Sequence, residues 1–127
     1  MSTTSIGGLE GIVFDAYGTL FDVGALDSAC AAVSEAPGEL ARLWRAKQLE
    51  YSFVRTIIDR YADWGQLTSD ALDYASTALG VVINPTQRRA LMAAWLTLPT
   101  YPDVPDALTR LHASGLRLAI LSNGARE

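Results

Sequence analysis

The stretch Gly11-Ile12-Val13-Phe14-Asp15-Ala16-Tyr17-Gly18-Thr19-Leu20-Phe21-Asp22 decides the fold. Residues 11–14 form a short apolar run, β-rich at its centre, as expected of a buried strand. The run stops at Asp15, and Gly18 then supplies a turn residue. Open α/β sheets hold their ligands at the C-terminal ends of parallel strands, so a carboxylate here reads as a nucleophile. Turn chemistry leaves a second reading open, an aspartate that only caps the loop. Thr19, four residues on, can turn back and hydrogen-bond the carboxylate, and the Ala16 and Tyr17 N–H groups can hold an anion.

Near the other end, residues 116–121 form a second alternating apolar run that stops at Ser122-Asn123-Gly124. Two parallel strands need a crossover, and the pattern predicts a helix over 105–114, opened by Pro105 and ended by Gly115, to supply a right-handed one. Between them lies far more helix than a crossover requires. A helix over 26–33 starts at Asp27-Ser28 and is broken by Glu35-Ala36-Pro37-Gly38. A long one follows over 39–62, about 35 Å at the usual rise. Its apolar face carries Leu40, Leu43, Trp44, Tyr51, Val54, Ile58 and Tyr61. Trp64-Gly65 ends it. Thr68 or Ser69 caps the next helix, with Leu72, Ala75 and Leu79 inward and Gly80 past its end. Asn84-Pro85 starts another that reaches Leu98 and buries Leu91, Ala94, Trp95 and Leu98.

These elements make an α/β fold, a partial Rossmann-like core of parallel strands with an inserted helical cap. Residues 1–25 and 99–127 form the core and 26–98 the cap. Strands that are neighbours bring Asp15 and Ser122-Asn123 out side by side.

Composition narrows the function classes. Of 127 residues 50% are hydrophobic and 19% charged, which is globular rather than disordered. A net charge of −4 and the lack of any basic run argue against a nucleic-acid or anionic-membrane surface. Cys30 is the only cysteine, which leaves no intrachain disulfide and no zinc cluster. His112, the only histidine, falls at a helix end where a dipole contact explains it. No run reaches membrane-spanning length, and residues 1–8 lack a basic or apolar leader, so a cytoplasmic protein is the default.

Residues 14–20 resemble the first motif of the haloacid dehalogenase superfamily, and Ile120-Leu121-Ser122-Asn123-Gly124 resembles its second. Residues 42–51 and 60–63 resemble the cap of the L-2-haloacid dehalogenases. The resemblance implies a two-step displacement without cofactor or metal. Asp15 attacks C2 of a short (S)-2-haloalkanoate, expels halide and forms an ester. Water then cleaves that ester at the aspartyl carbonyl and releases the (R)-2-hydroxy acid. It also implies that Arg45 and Asn123 bind the halide, and that Ser122 with the Ala16-Tyr17 backbone holds the substrate carboxylate. Gln48, Leu49 and Trp64 would wall the pocket, Leu49 against the alkyl group, and a homodimer through cap helices would suit the family.

Each assignment has a plainer counterpart: a solvated Arg45, an ordinary turn at Ser122-Asn123-Gly124, Trp44 and Trp64 as core or interface aromatics.

Two features separate this chain from its superfamily's patterns. The phosphatases carry a second aspartate two residues after the nucleophile, which protonates the leaving alkoxide. Here Tyr17 stands there, and a halide leaves without a proton. Family members also draw a lysine, a serine, an asparagine and a later aspartate from the second half of the core. Lys47, the only lysine, lies in the cap. The chain is thus expected to correspond to the N-terminal portion of a larger enzyme, with an apolar strand edge and slow hydrolysis of the ester. A non-catalytic binding module and a phosphatase of the same superfamily are the alternatives.

Overall fold

A computed structural model describes residues 7–124; the expectations placed on residues 1–6 and 125–127 lie outside the described residues. The chain runs through β1 (Gly11–Phe14), α1 (Leu26–Cys30), α2 (Pro37–Ile57), α3 (Trp64–Ala78), α4 (Pro85–Ala94), α5 (Val104–Ala113) and β2 (Arg117–Ile120). It divides into two compact units, one of residues 7–22 and 99–122, the other mainly of residues 23–98.

In the first unit β1 and β2 pair in parallel, Gly11 opposite Arg117 and Phe14 opposite Ile120. The ladder extends one residue further, where Leu121 N–H donates to the Phe14 carbonyl at 2.8 Å. Gly11 permits this approach, since a Cβ there would lie 2.8 Å from the Arg117 carbonyl oxygen. α5 packs against β2, and Gly115 at its end takes φ +85°. The expectation of a buried first strand does not hold: Val13 is 64% exposed, as are Ile120 at 58% and Leu121 at 76%. Alternation places side chains on both sheet faces, and these apolar side chains stay uncovered among the described residues. Past β1 the chain turns tightly. The Ala16 carbonyl accepts from Leu20 N–H at 2.8 Å and Phe21 N–H at 3.0 Å, and Gly18 sits at φ +88°, a region that favours glycine. The turn is tied to the segment before α5 by Asp22 N–H to the Pro99 carbonyl and Tyr101 N–H to the Leu20 carbonyl.

The second unit is helical. α2 packs on α1 and α3, and α1 packs on α4. Leu26, Cys30, Leu40, Trp44, Ala71, Leu72, Ala75 and Leu91 form its buried core. Burial in that core pushes the Cys30 thiol up to about 11, with the nearby Asp27 charge adding to the effect. Arg88 on α4 holds α3, pairing with Asp73 and donating to Ser69 Oγ at 2.7 Å.

Several helix boundaries differ from the expectations, each for a local reason. α1 has no side-chain cap and follows a 3₁₀ turn over Val23–Ala25, so Asp27 lies inside it. Pro37 does not merely break a helix but starts α2, where its fixed φ and missing N–H suit the first turn. α2 stops at Ile57 because Asp59 adopts φ +54°. Arg60 N–H then reaches the Arg55 carbonyl at 2.8 Å, satisfying an orphan carbonyl in the manner usual for a glycine-ended helix. α3 begins at Trp64, capped by Asp63 accepting from Gln66 N–H at 2.8 Å, rather than at Thr68 or Ser69. α4 starts as expected, with Asn84 and Gln87 bonded reciprocally, but gives way to a 3₁₀ turn over Trp95–Thr97. The expected inward stripe of α2 also ends early: Val54 and Ile58 are exposed and Tyr61 is 90% exposed. Leu79 faces outward as well.

Candidate active site

Asp15 immediately follows β1 and is exposed. Thr19 Oγ1 donates to its Oδ2 at 3.3 Å, across the turn that Gly18 makes possible. Ala16 is buried, and with its carbonyl committed to the turn, its N–H is what it can offer a ligand. Tyr17 is half-buried, its ring 6.0 Å from that of Phe21. Ser122 is two residues past β2 and exposed; because Leu121 still pairs with Phe14, the parallel ladder puts Ser122 beside the turn that begins at Asp15. Asn123 follows and is exposed.

The second unit brings three other candidates together. Arg45, on α2, donates from Nη1 to Gln48 Oε1 at 2.7 Å. Its guanidinium lies 5.9 Å from the Trp64 ring and 5.6 Å from the Trp95 ring, within cation–π range of both. Gln48 is fully buried and donates from Nε2 to Thr68 Oγ1 at 2.6 Å. Trp64, the first residue of α3, is half-buried, and its indole nitrogen has no hydrogen-bond partner among the described residues. Leu49 is half-buried on α2. Lys47 is occupied elsewhere: its ammonium lies 2.8 Å from Glu50 Oε2 and 4.4 Å from the Tyr74 ring. The hydrogen bond to Glu50 raises its pKa.

Three residues around Arg45 were not among the sequence candidates. Trp95 supplies one aromatic face, and Trp44 packs edge-on to it with centroids 5.6 Å apart. Thr68, expected as a cap, lies inside α3, where its Oγ1 donates to the Trp64 carbonyl at 2.6 Å. The inward periodicity that marked the two tryptophans as core residues was the one available signal.

Among the described residues no cluster of three or more His, Cys, Asp or Glu side chains could hold a metal ion. Among the same residues no helix is long and apolar enough to cross a membrane.

Known proteins resemble this chain in sequence and fold. A family described as haloacid dehalogenase-like hydrolase matches residues 9–127. The (S)-2-haloacid dehalogenase H-109 of Pseudomonas putida is 48% identical over 120 residues, 94% of this chain and 54% of that protein. A crystal structure of a dehalogenase superposes with a TM-score of 0.89 at 40% identity, covering 95% of this chain and 54% of the other. The L-2-haloacid dehalogenase of Xanthobacter autotrophicus, with chloropropionic acid covalently bound, superposes at 0.82 and 39% identity over 93% and 48% of the two chains. The chain spans about half the length of the curated relatives it matches. With the first two motifs, the parallel strand pair and the intervening helices all present, the chain belongs to the haloacid dehalogenase-like hydrolases.

Proposed function

We propose that this chain serves the hydrolytic dehalogenation of (S)-2-haloalkanoic acids to (R)-2-hydroxy acids, with Asp15 as nucleophile. The observation that carries this reading is the strand-end carboxylate itself, with the Thr19 hydroxyl on Oδ2 and a tyrosine two residues on. A phosphate ester needs an acid at that position to protonate the leaving alkoxide, whereas a halide departs as a stable anion. The relative with covalently bound chloropropionic acid adds support, since an ester to a strand-end aspartate is such a bond.

In the first step an Asp15 oxygen forms a bond to C2 while the carbon–halogen bond breaks, and the halide leaves with its electron pair. Thr19 keeps the carboxylate oriented for attack. Ser122 and the Ala16 and Tyr17 N–H groups hold the substrate carboxylate, and Arg45 with Asn123 takes the halide. Leu49 and Trp64 line the alkyl side, and Gln48, fully buried, backs Arg45. In the second step water adds at the aspartyl carbonyl. The water oxygen stays on Asp15, a proton is released, and the hydroxy acid departs with inverted C2.

A cytoplasmic location and a homodimer belong to the same reading. The exposed Val54 and Ile57 on α2, with Ile58 just past its end, support the dimer, which sedimentation equilibrium checks.

The test is chloride release from L-2-chloropropionate. It is run on the chain and on a chimaera in which residues 9–127 replace the matching segment of the Pseudomonas putida relative. Release by the chimaera from the L but not the D enantiomer is expected, with solvent ¹⁸O entering Asp15 in a single turnover. No release from either protein would refute the reading, and so would phosphate release from a generic ester in its place.

A further inference from the structure

Arg45 and Gln48 meet through a hydrogen bond that works in one orientation of the amide only. Arginine has donors and no acceptor, so Gln48 must turn its oxygen toward the guanidinium. Its NH₂ group then faces the other way, into the buried space between α2 and α3, where it needs an acceptor. Thr68 Oγ1 is that acceptor, at 2.6 Å. A hydroxyl could equally donate to the amide, which would favour the flipped orientation. Here it cannot, because the Thr68 proton is already given to the Trp64 carbonyl at 2.6 Å. The Thr68 backbone is fixed too, its carbonyl accepting from Trp44 Nε1 at 2.8 Å. Thr68 is 3% exposed and Gln48 fully buried, so water does not compete for these bonds.

We infer that Thr68 is a positioning residue for Arg45. By spending its one proton on the Trp64 carbonyl, it sets the polarity of Gln48 and so presents an acceptor to the guanidinium. The relay also joins the start of α3 to the same guanidinium, since the residue whose carbonyl takes the Thr68 proton is Trp64, over whose ring Arg45 lies. Arg45 is thereby held on one edge by Gln48 and against two aromatic rings. This inference rests on the reading of Arg45 as the halide-binding side chain.

The experiment follows the full chain with two readouts. One is the ¹⁵N side-chain resonances of Gln48 and Arg45. The other is the saturable change in tryptophan fluorescence on titration with bromide alone. Thr68→Val removes the hydroxyl at nearly constant shape. It is expected to shift the Gln48 amide and Arg45 Nε–H signals and to weaken bromide binding roughly tenfold, the scale of one hydrogen bond to a charged group. Thr68→Ser keeps the hydroxyl and restores both within about twofold, on the same scale. In a Gln48→Met background, adding Thr68→Val has no further effect on bromide, because the two act through one path. Should Thr68→Val fail to fold by circular dichroism, Thr68→Ala carries the same expectations.

A folded Thr68→Val chain with wild-type resonances or a wild-type bromide midpoint overturns the proposal. An effect of Thr68→Val undiminished in the Gln48→Met background does so as well. Failure of the underlying reading is distinguishable. The wild-type chain then shows no saturable bromide response, or Arg45→Met leaves that response unchanged, while Thr68→Val still moves the Gln48 and Arg45 signals.

Discussion

Asp15 stands exposed at the end of a short, half-covered strand, steadied by a long hydrogen bond from a neighbour in the same turn. Arg45 is fixed between two aromatic rings and bonded to a fully buried amide. The contrast fits the work proposed for each. A nucleophile has to reach an incoming carbon, so its surroundings must stay open. A cation that receives a departing anion gains from being preorganised, since a mobile guanidinium would lose freedom on each turnover. Changes around Asp15 should therefore alter chemistry and leave stability alone. Changes around Arg45 should alter stability.

Asp15→Asn tests the first half of that contrast and has the largest expected effect. It removes the attacking oxygen's charge, and chloride release by the chimaera should fall by about 10⁴-fold or more. The ester adduct should vanish from the intact mass spectrum. The urea midpoint should not move, because Asp15 is exposed and its hydrogen bond lies at the surface. A large loss of stability would break the comparison.

Trp44→Ala tests the other half. Trp44 is fully buried on α2, edge-on to Trp95, with its indole N–H on the Thr68 carbonyl. Truncating it should cost about 3–5 kcal/mol of unfolding free energy, read from urea denaturation. A loss below about 1 kcal/mol, the scale of an ordinary surface change, would mean that the helical framework does not hold Arg45 in the way described.

The same unit supplies a pH test. Burial raises the Cys30 thiol from 9.0 to about 11. A group whose folded pKa is raised contributes fully below its unfolded value and loses that contribution as pH climbs through the folded value. Between 9.0 and about 11, then, the unfolded chain ionises first and stability falls. A two-unit gap corresponds to about 2–3 kcal/mol. Lys47 also has a raised pKa and adds its own loss at the alkaline end, so the measurement is the difference between wild type and Cys30→Ala. Urea midpoints across the window should converge for the two proteins as pH rises. Curves that stay parallel would show that the thiol is not desolvated.

The two regions also differ in how far the sequence discloses them. The Asp15–Thr19 bond is local: a four-residue spacing across a glycine turn contains the whole geometry. The strand pair is equally legible, since both runs are apolar and both end in polar residues. So are Asn84-Pro85 and Gly80, whose backbone requirements belong to one or two residues. Arg45 is different, because Trp64 and Thr68 come to it from α3 and Trp95 from the turn after α4, and no spacing announces that these elements converge on α2. Helix ends are hard to read from sequence where an uncommon residue performs a common task. Asp59 takes the left-handed conformation usually left to glycine, and Asp63 caps α3 while the better-looking Thr68 turns inward. The outer half of α2 shows a third limit. Its apolar periodicity predicts a buried face, but burial needs a packed partner, and the buried residues Leu40, Ala41, Trp44 and Gln48 reach only just past the middle of the helix.

Thr19→Val is the smallest of these effects and the most direct probe of how lightly Asp15 is held. The Thr19 hydroxyl donates at 3.3 Å, longer than the usual spacing for an O–H donor to oxygen. Such bonds in unliganded sites tighten once substrate arrives, so the residue's effect should appear in the chemical step rather than in folding. Removing the hydroxyl should slow chloride release by the chimaera about five- to tenfold, the worth of one net hydrogen bond of about 1 kcal/mol. Thr19→Ser, which keeps the donor, should recover most of the rate. If valine changes KM and leaves kcat untouched, Thr19 contributes to substrate binding and not to orienting the carboxylate. If valine lowers the urea midpoint instead, the turn is a structural element, and the division between an open nucleophile and a firmly held cation would have to be redrawn.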